Sequence, residues 1–149
     1  MPAFITFGRV LFALLFIYTG ATKLFDIQNT TNTIASKVAI PALLAPYTSQ
    51  VETMTGMTTP QLLAIGAGAV EIIAGLMIAL NFGARFFAIL MIFFVAVATF
   101  YFHDFWNQSP PDNAKTLVEA LKNLSIIGAL FMIAGYGRAR RDAEPGYDV

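Results

Sequence analysis

Long apolar runs, each closed by a short polar, Pro- or Gly-containing break, set the pattern of this chain. Four runs predict membrane-crossing helices, over roughly residues 3–25, 61–80, 86–102 and 116–136. At 1.5 Å per residue, about 20 residues cross the ~30 Å hydrocarbon core of a bilayer. The third run is the shortest but carries no charge, whereas Glu119, Lys122, Asn123 and Ser125 occupy the first half of the fourth. The fold expected is all-α: an integral membrane four-helix bundle, one transmembrane domain over residues 1–149.

The breaks differ in length. Residues 26–60 predict a long extracytoplasmic segment between the first two membrane helices. It opens polar (Gln28, Asn29, Thr30, Thr31, Asn32, Thr33), turns amphipathic, and is interrupted by Pro41, Pro46 and Pro60. Its apolar positions Ile34, Val38, Ile40, Leu43 and Leu44 suit one or two short helices lying on the membrane surface. Residues 81–85 are too few for anything but an antiparallel hairpin. Residues 103–115, with Trp106, Pro110 and Pro111, predict an ordered turn carrying an interfacial aromatic anchor. Residues 1–7 have no Lys or Arg, and no polar mature domain follows Gly20, so the first run is expected to be a retained helix rather than a signal peptide.

Composition sharpens the choice of solvent. Apolar residues make up 57% of the chain and charged residues 12%, about half the charged share of soluble proteins. The first expected partner is therefore the lipid bilayer. Net charge is zero, so no basic field points to nucleic acid. The absence of Cys excludes disulfides, thiolate redox chemistry, iron–sulfur ligation and Cys-type zinc sites, and a single His cannot hold a multi-His metal centre. No metal site is expected. Lys and Arg are nearly balanced between the two sides of a four-span topology, but Arg138, Arg140 and Arg141 cluster directly after the last span. Both termini are accordingly expected in the cytoplasm.

Ionisable groups inside spans cost about 2.5–3.5 kcal/mol each at the centre, so each needs a partner or a purpose. Glu71 shares a helical stripe with the small residues Ala64, Gly68, Gly75 and Ala79, which predicts that it faces a neighbouring helix. Counting residues from the span edges puts Arg9 ~9 Å deep and Glu71 ~14 Å deep, within reach of each other. Lys122 comes out equally close. Arg9, Glu71 and Lys122 are thus the expected structural polar core, with Arg9 favoured for its bidentate fork. Glu119 and Lys122 can also satisfy each other at i, i+3. Convergence of the polar faces would gather Lys23, Glu71, His103, Lys122 and Asn123 into a candidate ligand or proton site. A quinone headgroup fits such a mixture of donors, acceptors and aromatic walls; no other cofactor is evident. The plainer alternatives are an inert Glu71 tether, a helix-capping His103 and a snorkelling Lys23.

At these residues the sequence resembles the DoxX family of small four-helix bacterial membrane proteins. Gly8-Arg9 opening a helix that closes Tyr18-Thr19-Gly20-Ala21-Thr22-Lys23-Leu24 is similar to the family's first span. Glu71 with Gly75, then Gly83-Ala84-Arg85, resembles its second hairpin. His103-Asp104-Phe105-Trp106 and Lys122-Asn123-Leu124 resemble the residues flanking its third connection. The resemblance implies an inner-membrane protein tied to respiration or redox stress, working with membrane or periplasmic protein partners. Two readings follow: a subunit or accessory component of a membrane redox complex, or a quinone-linked oxidoreductase in which Glu71 and His103 exchange protons with a quinol. A small-solute transporter is disfavoured, because the second and third spans are unbroken by Pro.

Overall fold

The computed structural model describes residues 2–139. Among these the chain is helical without strands: α1 (Pro2–Phe25), α2 (Ile27–Lys37), a 3-10 turn (Ala42–Leu44), α3 (Ala45–Thr55), α4 (Thr59–Ala79), α5 (Ala84–Phe102), a second 3-10 turn (Phe105–Asn107) and α6 (Asp112–Ala139). Four of them, α1, α4, α5 and α6, are long and apolar enough to cross a membrane. Leu11, Leu14, Phe93, Val97, Leu121 and Leu124 all lie exposed on these helices, as lipid-facing positions require.

The long connecting segment expected over 26–60 is not what the chain builds. α1 and α2 follow one another with only Asp26 between them, and α2, the 3-10 turn and α3 take up most of the stretch. The polar run is helical with a side-chain cap at its start, and hydroxyls along it find their partners within the helix. Asp26 accepts from the Asn29 N–H at the helix start. The hydroxyls of Thr30, Thr33 and Ser36 donate to carbonyls one turn back.

The described residues fall into two compact units, Leu14–Ile73 and the remainder. In the first, the later half of α1 packs on α4. Gly20 and Gly68 make this possible. A Cβ on Gly20 would lie 2.7 Å from the Gly68 carbonyl oxygen and 2.8 Å from Ile72. One on Gly68 would meet Leu24 at 2.8 Å. Gly20 therefore touches the later turns of this stretch of α4 and Leu24 the earlier ones, so the two helices run antiparallel.

In the second unit, α4 ends in a left-handed reversal. Phe82 N–H donates to the Met77 carbonyl and Asn81 N–H to that of Ile78, with Asn81 at φ 60° and Gly83 at φ 57°. This is the Schellman arrangement, which satisfies the last carbonyls of α4 and turns the chain into α5. α5 then packs on α6, with Ala84, Ala88, Met91 and Val95 of α5 and Leu130 of α6 buried.

Candidate functional site

Glu71 is buried, its side chain 7% exposed. It sits one turn after Gly68, where α1 comes closest. The cation it meets is Lys23, whose Nζ lies 2.8 Å from Oε2 and 3.0 Å from Oε1. Thr19 Oγ1 donates to Oε2 at 3.0 Å. Lys23 Nζ also reaches the Thr19 carbonyl oxygen at 3.5 Å. One carboxylate is thus gripped by an ammonium and a hydroxyl from successive turns of α1.

This corrects the expectation that Arg9 or Lys122 holds Glu71. Arg9 donates to Thr6 at 3.4 Å, and its Nε is buried without a hydrogen-bond partner. Lys122 pairs with Glu119 at 2.6 Å, both side chains more than half exposed. Depth counting failed because it compared only Arg9 and Lys122 with Glu71 and left Lys23 out. Helical side chains lean toward their own N-terminus. Lys23, near the C-terminal end of α1, therefore folds back along Thr19 to the level of Glu71.

His103 caps α5, its backbone N–H donating to the Thr99 carbonyl at 2.9 Å. Among the described residues its half-buried imidazole makes no hydrogen bond. Thr99 is a node: its hydroxyl donates to the Val95 carbonyl at 2.6 Å and accepts from Asn123 Nδ2 at 2.9 Å, joining α5 to α6 within their spans. Beyond His103, Trp106 contacts Phe100 and Phe105 at ring-centroid distances of 5.6 and 5.0 Å. Gln108 then links Asp104 to Thr116. Of the five candidate residues, the structure directly joins Lys23 and Glu71. Asn123 is engaged with Thr99, and Lys122 with Glu119. Thr19 and Thr99, the two hydroxyls that complete these contacts, are the functional groups that residue-type reasoning underrated; their position one helical turn from Lys23 and His103 was the available signal.

The family model for DoxX matches residues 4–104. It thus includes the Lys23–Glu71 pair and ends before α6 and its Lys122-Asn123-Leu124 motif. Inner membrane protein YphA of Escherichia coli is 26% identical over 133 residues, covering 89% of this chain and 82% of the relative. No solved structure matches. With more than half its length under the family model, and four helices of membrane-crossing length and apolarity, this chain is an integral membrane protein belonging to the DoxX family.

Proposed function

We propose that this chain is a subunit or accessory component of a membrane redox or respiratory complex in the bacterial inner membrane, with both termini in the cytoplasm. The observation that carries the reading is the closed state of the buried carboxylate. Each Glu71 oxygen is bonded to Lys23, and one of them to Thr19 as well. A group whose bonds are spent on its own helices holds those helices together; it does not offer a substrate a free acceptor. Redox chemistry in such a complex belongs to a partner, since this chain has no Cys and one His. Native mass spectrometry of the complex extracted in mild detergent tests this: the chain should travel with a second, cofactor-bearing protein. Recovery only as the free chain would remove the subunit reading.

The orientation rests on Lys and Arg distribution; Arg140, Arg141 and the C-terminal Asp142 lie outside the described residues. Cysteine probes at Thr53 and Asp142 in this otherwise Cys-free chain report it, and labelling of the Asp142 probe from the periplasmic side would reverse it.

The quinone-linked reading draws on one observation, the half-buried imidazole of His103, which makes no hydrogen bond among the described residues, two residues before the aromatic pair Phe105 and Trp106. Quinone binding that is measurable with the wild type and lost in His103→Gln would favour it over the subunit reading.

A further inference from the structure

α3 leaves an apolar face uncovered. Leu43 lies in the 3-10 turn before α3, and Tyr47, Val51 and Met54, spaced four and three apart, share one side of the helix. The four residues are 83%, 68%, 45% and 79% exposed. The polar side asks little of any neighbour, because Thr48, Ser49, Thr53 and Thr55 all donate back to carbonyls of their own helix.

The height of this face is fixed by Glu52. Its Oε1 accepts from both the backbone N–H and the hydroxyl of Thr59, each at 2.6 Å. Thr59 is the first residue of α4, which has 21 residues, about 32 Å of helix, matching the hydrocarbon core. Its start therefore lies at the edge of that core, and the Glu52 grip holds α3 there with only three residues intervening. At 100° per residue, Tyr47, Val51 and Met54 lie about 100–160° round α3 from Glu52. The apolar face thus points away from the tether.

We propose that α3 and the turn before it form a membrane-surface anchor, with Leu43, Tyr47, Val51 and Met54 seated in the lipid bilayer at the headgroup–acyl boundary. The occupant is lipid because the Glu52–Thr59 bonds hold this uncovered face at the level where a membrane-crossing helix begins. Residues 38–60 contain no Lys or Arg, so the seating is hydrophobic and independent of anionic headgroups. Tyr47 supplies the aromatic residue typical of this depth.

The absence of Cys makes a clean test possible. Spin labels at Tyr47→Cys, Met54→Cys, Ser49→Cys and Thr53→Cys are compared in the full chain, reconstituted in phosphatidylcholine vesicles with and without phosphatidylglycerol. All four sites are exposed, so labels do not disturb packing. Positions 47 and 54 should collide with dissolved oxygen and be shielded from a water-soluble nickel chelate, with the reverse at 49 and 53, equally in both lipids. Equal chelate access at all four positions would overturn the proposal, as α3 would then stand in water. Exclusion of both probes at 47 and 54 would also overturn it, by showing a protein occupant. A pattern seen only with phosphatidylglycerol would refute the hydrophobic seating.

Discussion

Replacing Lys23 with Met removes the ammonium and keeps most of the side chain's apolar stem. Glu71, 7% exposed, is then left with the Thr19 hydroxyl alone. Breaking a buried pair from one side costs about 3–5 kcal/mol, and the surviving charge-assisted hydrogen bond places Lys23→Met toward the lower end. The opposite change is milder. Glu71→Gln keeps an acceptor for Lys23 and Thr19, and Lys23, 32% exposed, can turn its ammonium toward the headgroups, so about 1–2 kcal/mol is expected. Replacing both, Lys23→Met with Glu71→Leu, strands neither charge and should recover most of the loss. Thermal unfolding in detergent, followed by Trp106 fluorescence, reads these differences. With roughly 2–4 °C per kcal/mol for a chain of this size, Lys23→Met should lower the midpoint by about 10 °C. Two results would refute the reasoning: a double variant as unstable as the sum of its parts, or a Lys23→Met shift no larger than that of Glu119→Ala at the exposed Glu119–Lys122 pair.

The close approach of α1 and α4 makes Gly20→Ala destabilising by about 1–3 kcal/mol, because the added carbon meets backbone at 2.7 Å. Gly66→Ala, with nothing within 4 Å of the new carbon, should leave the midpoint unchanged in the same assay. Asn123→Leu deletes the hydrogen bond to Thr99 and should cost about 0.6 kcal/mol, the average for such bonds between membrane helices; a loss above about 2 kcal/mol would mean that Asn123 holds more than Thr99. The side-chain and backbone hydrogen bonds from Thr59 hold the Glu52 carboxyl below its usual value of 4.5. A depressed folded value means the grip on α4 is fully present above 4.5 and fades as pH falls through the lower folded value. Amide exchange at Thr59 should therefore be slow and constant from neutral pH to about 5 in the wild type after correction for intrinsic rates, and faster throughout in Glu52→Gln.

The membrane helices were legible because hydropathy integrates over many residues. Their ends were not. α4 begins at Thr59 rather than at 61 because Glu52, seven residues upstream, caps it; no local signal announces a cap borrowed from another helix. α6 begins at Asp112 rather than near 116, since its first turn is polar and hydropathy does not count it. In the candidate site, Glu71 as a buried group facing a neighbouring helix followed from the small residues around it. Its partner did not follow, because Lys23 looks like a helix end when counted along the chain. What selects Lys23 is the contact of Gly20 with Gly68, which brings the α1 turn bearing Thr19 and Lys23 against Glu71, together with the backward lean of helical side chains. Two glycines far apart in sequence give no sign of meeting until the helices are packed.

The central claim is that the Lys23–Glu71–Thr19 cluster is a closed tether in an assembling subunit. The most direct measurement is the quinone and chromophore content of the chain purified alone, beside that of any larger assembly extracted with it. The isolated chain should carry neither quinone nor visible absorbance, and an assembly containing it should hold a redox cofactor on another subunit. Stoichiometric quinone on the isolated chain, lost in both Lys23→Met and His103→Gln under conditions where those variants stay folded, would contradict the account.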